Sequence, residues 1–216
     1  MKKPSNEIVT YVDEHVFPVY EQKIAYKRDH IDYVIRRSLE FANQVSVDDN
    51  GKPINIDMVY VIAAYHDIGE IDNRKTHELV GAKMLRDDML LQKFFTLTQI
   101  ETMAQSVEDH RASGKSEPRT IYGRIVSSAD RITSMDDMFA LGYGFCARRG
   151  VPLSDIIENV YFHLCEKYGE HGYALSKIYF KDQEYESFIA EALQLSKDKV
   201  AFTKRFLQAN GLEAGT

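Results

Sequence analysis

Cysteine is scarce in this sequence: Cys146 and Cys165 are its only two, and they form no CxxC pair. That argues against a disulfide scaffold and leaves two buried thiols in a reducing cytoplasm as the expectation. The N-terminus lacks the apolar core of a signal peptide, and no apolar run approaches the ~20 residues that span a bilayer, so no membrane is expected as a partner. Positive charge is not in excess either. A net charge of −6 and an isoelectric point near 5.7 argue against general nucleic-acid binding, which needs many cations to neutralise phosphates. Any phosphate site must therefore be local, and without a GxxxxGK[ST] loop it must rely on other groups. No stretch alternates convincingly as a strand, and there is no internal repeat or low-complexity tract.

What is present is helical rhythm. The 216 residues, 44% of them hydrophobic, suit one domain over 1–216 with a sizeable core. The expected architecture is an all-α bundle, its motif region at about 26–140 and its C-terminal helices over 151–210 packing on that region. Glu7–Tyr20 has helical spacing interrupted or kinked at Pro18. From Asp29 to Asn43, apolar positions Ile31, Val34, Ile35, Leu39 and Ala42 recur at three- and four-residue steps. Residues 45–56, with Asp48, Asp49, Asn50, Gly51 and Pro53, read as a turn-rich linker; DDNG lacks the later glutamate of a calcium loop. Thr76 is a plausible N-cap for the next helix. Met89–Val107 reads as one long apolar helix, a further helix starts near Tyr122, and LGYGFCARRGVP after Met138 reads as a connection.

The chemistry gathers around Val59–Glu70, VYVIAAYHDIGE, an apolar run that ends on His66-Asp67. An imidazole and a carboxylate side by side on a rigid helix are good ligands for a divalent cation. Taken alone, the pair reads better as a helix C-cap followed by a turn at Gly69. His30 shares the core side of its helix with Val34, which suits either a ligand or a core histidine bonded to a carbonyl. His77 falls in the first turn of its helix, where a positive dipole end favours a neutral ligand over a protonated side chain.

In order, His30, His66-Asp67 and Asp130 form an H…HD…D pattern, and over about His30–Arg131 the chain resembles the HD superfamily of metal-dependent phosphohydrolases. The resemblance implies four ligands, His30, His66, Asp67 and Asp130, for one divalent ion. His77 and His110 lie where two-metal members carry further histidines, which implies a second ion and a bridging Asp67. The cofactor is then one or two ions of Mn, Fe, Co, Ni or Zn, able to clamp the oxygens of a phosphoryl displacement and activate water.

Glu70 stands where other members have lysine. It is similar to the glutamate that some HD nucleotidases place near the attacking water, so Asp67 and Glu70 are the catalytic candidates. Arg111, Lys115 and Arg131 are the candidates for binding substrate phosphate, and Arg119 and Arg124 lie in the same stretch. The implied activity is hydrolysis of a nucleotide or other small phosphoester. The six ligands also look like those of bacterial symmetrical diadenosine tetraphosphatases. Two alternatives stay open: a di-iron oxygenase on the same scaffold, and a non-catalytic metal- or nucleotide-binding module. Aromatics in Tyr161–Tyr185 would serve either a homodimer or the packing of the C-terminal helices.

Overall fold

Ile56–Tyr65 is apolar on every side, and only Asp57 among its ten residues escapes burial. A helix apolar all round belongs inside a protein. The computed structural model describes residues 2–21, 28–71, 75–111, 116–175 and 177–212, and places this segment at the centre of the first half. Within the described residues all regular structure is helical, apart from a lone antiparallel bridge between Val47 and Pro53. The architecture is all-α. Two compact units divide the chain at Asp130 and Arg131.

In the first unit, α1 (Asn6–Tyr11) and α2 (Phe17–Glu21) are joined by a π turn at Val12–Val16. Pro18 has no N–H to give back to the preceding turn, and the widened turn before it takes up the misfit without ending the helical run. Next come α3 (Arg28–Ala42), α4 (Ile56–Tyr65), α5 (His77–Asp87), α6 (Leu97–Glu108) and α7 (Ile121–Ala129). Helices α3, α6 and α7 pack around α4. Val61 and Ile62 are wholly buried there, each contributing roughly 1.5–3 kcal/mol.

Local chemistry sets the starts of these helices. Asn55 caps α4 by accepting the Met58 N–H at 3.2 Å. Thr96 and Gln99 form a reciprocal capping box on α6. That box corrects the single helix expected over Met89–Val107: a 3-10 turn at Met89–Lys93 ends first, and α6 begins afresh at Leu97. Thr76 occupies the N-cap position of α5 but makes no side-chain cap bond. In the turn-rich linker, Asp48 folds the chain on itself by accepting the N–H groups of Asn50 and Lys52 at 2.9 Å each. Its neighbour Asp49 accepts the Ile121 N–H at 2.6 Å and pairs with Arg124, anchoring the start of α7.

The second unit contains α8 (Met135–Ala147), α9 (Leu153–Tyr168), α10 (Gln183–Lys197) and α11 (Lys199–Ala209). The segment expected as a connection, LGYGFCA, is therefore the second half of α8. Gly142 lets α9 come close, since a Cβ there would lie 2.8 Å from a Val160 methyl. Phe139 meets Phe202 and Phe206 edge-on, with ring centroids 5.4 Å apart in both pairs. Cys146 and Cys165 are half-buried free thiols, more open than expected.

Candidate metal centre

Helix ends supply every donor. His30 lies in the first turn of α3, and His77 is the first residue of α5. His66 is the C-cap of α4 and Asp130 the C-cap of α7, while His110 follows Asp109, the C-cap of α6. Three helix C-termini, each with partial negative charge on its last carbonyls, thus carry groups of the cluster, a polarity that favours a cation.

The donor atoms form two groups: His30, His66 and Asp130 in one, Asp67, His77 and His110 in the other, all within 4.8 Å of one another in each. In the first, His30 Nε2 lies 3.3 Å from His66 Nε2 and 3.3 Å from Asp130 Oδ1. In the second, His77 Nε2 lies 3.1 Å from His110 Nε2 and 3.1 Å from Asp67 Oδ1. Asp67 joins the two. Its Oδ2 is 3.4 Å from His66 Nε2 and 3.5 Å from His30 Nε2, and its Oδ1 is 3.6 Å from His110 Nε2.

Hydrogen bonding fixes which ring nitrogens face inward. The Nδ1–H of His66 donates to the Ala63 carbonyl and that of His110 to the Val107 carbonyl, both at 2.7 Å. Each Nε2 in a neutral ring is then a lone pair aimed into the cluster. His30 Nε2 faces three acceptors at once, His66 Nε2, Asp67 Oδ2 and Asp130 Oδ1, and one N–H cannot serve them all. A cation can. Ligands about 2.0–2.2 Å from a transition ion stand roughly 3–3.5 Å apart. The spacings here, 3.1–3.8 Å, fit that separation with little adjustment.

The electrostatics point the same way. Burial would lift the Asp67 carboxyl, yet His66, His110 and His30 around it hold it well below the usual carboxylate range. Burial also works against Asp130, and His30 and His66 more than reverse it. Burial opposes charge on His30, but Asp130 and Asp67 raise its pKa to about 10; His66 is raised by the same two carboxylates against its burial. The centre holds its carboxylates ionised and favours positive charge beside them.

Access is uneven. His66, His110 and His77 side chains are 0%, 1% and 9% exposed, against 39% for His30. Solvent therefore reaches the cluster on the side of His30, Asp130 and Asp67.

Residues 29–135 match the family model of the HD domain. The chain belongs to the HD-domain superfamily. HD domains bind divalent metals, and the His and Asp groups of this one could hold them. A crystal structure of a predicted HD superfamily hydrolase from an uncultured Thermotogales bacterium is 19% identical, with 96% of this chain and 91% of that chain covered and a TM-score of 0.45. No curated protein matches the sequence.

The cations expected near this HD centre have other partners. Arg111 donates to the Lys75 carbonyl at 3.0 Å and to both Glu78 oxygens at 3.3 Å, bracing the end of α6 against the start of α5. Arg119 is bound by Glu108 and Asp109, and Arg124 by Asp49. Arg131 is buried in the second unit, where it donates to Tyr185 Oη at 3.0 Å and to the carbonyls of Ala174 and Lys177. The structure thus gives Arg131 a packing role where a phosphate contact was expected. In an acidic chain an arginine finds a carboxylate or a carbonyl close by, and adjacency to a ligand does not aim it at the site. Lys115 lies outside the described residues.

Glu70 sits in the 3-10 turn Ile68–Ile71, its N–H bonded to the Asp67 carbonyl at 3.0 Å, and its carboxylate is in neither donor group. Glu78 was not anticipated: its Oε2 lies 3.6 Å from His77 Nδ1 while Arg111 holds the same carboxylate. Its place directly after His77 was the one available signal.

Proposed function

We propose that this HD protein is a two-ion phosphohydrolase acting on a nucleotide or another small phosphoester. The observation that carries the reading is the division of the Asp67 carboxylate, one oxygen toward His30 and His66 and the other toward His77 and His110. Divalent ions such as Mn, Fe, Co, Ni or Zn held by these donors would supply Lewis acidity to a phosphoryl oxygen and make water nucleophilic near neutral pH. The protein's own contribution is positional. Carbonyls of Ala63 and Val107 lock the His66 and His110 rings, so no ring has to turn as a ligand arrives. The open edge at His30 and Asp130 admits the ester, while the buried histidines keep solvent from the opposite side. Glu70, one turn beyond Asp67, is the candidate to take a proton from the attacking water and return it to the leaving oxygen.

The test uses metal-free protein reloaded with Mn²⁺ or Co²⁺ and offered mononucleotides, dinucleoside polyphosphates and simple esters. Phosphate release is expected from the wild type and not from Asp67→Ala. Glu70→Gln should slow release by about 10²–10⁴-fold with metal content unchanged. Oxygen uptake without phosphate release would make the protein an oxygenase instead, and a folded protein that takes up no metal would make it a binding module.

A further inference from the structure

We infer that Gly69 sets how many ions the centre holds, by letting α5 seat directly on the turn that follows Asp67. The inference rests on the two-ion reading above. A Cβ at Gly69 would lie 2.1 Å from the His77 carbonyl oxygen, 2.6 Å from the Gly81 nitrogen and 2.9 Å from the His77 carbonyl carbon. All three are backbone atoms of α5, so no side-chain rotation relieves the overlap. The backbone at Gly69 does not itself require glycine: positive φ occurs at Gly51, Gly150 and Gly211, not here. What the missing side chain provides is the approach of α5.

Gly81 completes the seat one turn further along. A Cβ there would stand 3.2 Å from the Tyr65 carbonyl oxygen and 3.3 Å from methyls of Ile68 and Val107. This fit is tight but not forbidden, and it wedges α5 between the turn and the end of α6, where the Val107 carbonyl orients His110.

The geometry turns this packing into a metal count. His77 opens α5, and its Nε2 reaches Asp67 Oδ1 at 3.1 Å. A methyl at position 69 must lift that first turn by about 1 Å, several times the roughly 0.2 Å tolerance of a ligand bond. The atoms in the way belong to α5, which brings only His77, whereas three donors of the first ion, His30, His66 and Asp130, come from α3, α4 and α7, and Asp67, two residues before Gly69, is shared by both ions. The second ion should be lost and the first kept. Gly69 is in this sense a positioning residue, acting through His77.

The experiment titrates metal-free wild type, Gly69→Ala, Gly81→Ala and His77→Ala with Mn²⁺, following stoichiometry and the electron paramagnetic resonance spectrum. Two equivalents with a spin-coupled signal are expected for the wild type. Gly69→Ala should match His77→Ala, with one equivalent, an uncoupled spectrum and first-ion affinity unchanged. Gly81→Ala should keep both ions and weaken the second by about tenfold. Two coupled ions in Gly69→Ala, with wild-type affinity, would overturn the inference and leave the two-ion reading standing. A single ion in the wild type would overturn both. Should Gly69→Ala fail to fold, Gly81→Ala decides, and an unchanged second affinity there defeats the inference.

Discussion

In residues 1–130 the buried imidazoles are gathered at one point: His66, His77 and His110 lie inside the unit, and Asp67 faces them all. In residues 131–216 the largest deeply buried side chains are rings, with Phe139, Phe202 and Phe206 edge to edge or stacked, and Tyr168 against Phe188 at 4.9 Å. Imidazoles and carboxylates brought together out of water need their charges balanced, by protons on the rings or by a cation between them. Phenyl rings brought together gain from burial and from edge-to-face geometry without any further component. One interior gathers donor groups that could hold a metal ion; the other gathers rings that pack on one another.

The largest expected effect falls on the polar interior. Asp67→Ala should remove metal and lower phosphate release by at least on the order of 10³-fold. Amide exchange in α8, α9, α10 and α11 should not change; faster exchange there would show that the two interiors are not separate in function. The converse is Phe202→Ala, which empties the centre of the aromatic core and should cost about 3–5 kcal/mol in a denaturant melt. Metal stoichiometry of the folded variant should stay as in wild type, and a lost ion would break the comparison. The smallest effect concerns the rim of the first unit, where Arg86 binds Glu101 and Glu108. Arg86→Ala should cost about 1 kcal/mol at pH 7.

That last effect carries a pH signature. Arg86 holds Glu101 below its ordinary pKa; at Glu108 burial pushes upward, and Arg119 and Arg86 more than offset it. Carboxylates lowered in the folded state add stability that is present above their unfolded pKa and lost as pH falls through the folded one. The gap between wild type and Arg86→Ala should therefore close below about pH 4. A constant gap down to acid pH would mean that Arg86 acts through packing of its stem.

The all-α fold was legible because three- and four-residue apolar spacing survives in α3 and α7 whatever the tertiary context. The six residues whose side chains gather here could be named from sequence because the chain resembles the HD superfamily, whose H…HD…D pattern and further histidines they match. The resemblance also implied that Asp67 is shared; the distances within and between the two groups could not be read, since they depend on where helix ends meet. The break before α6 was hidden because apolar residues run through Met89–Lys93, and the Thr96 and Gln99 box that restarts the helix is a short polar signal within them. The second half of α8 was hidden for the opposite reason: Gly142 and Gly144 suggest a loop, and only Val160 explains why a glycine belongs in that helix. The partners of the arginines were not legible because sequence adjacency fixes the backbone and not the direction of a long side chain.

A consequence follows from the anchor at the start of α7. Asp49 grips the first N–H of that nine-residue rod, and Asp130 is its far tip, about 13 Å away. Pivoting the rod by a few degrees at the grip swings the tip by close to an ångström. A carboxylate in an outlying turn, touching none of the donors, thus aims one of them like a rudder post.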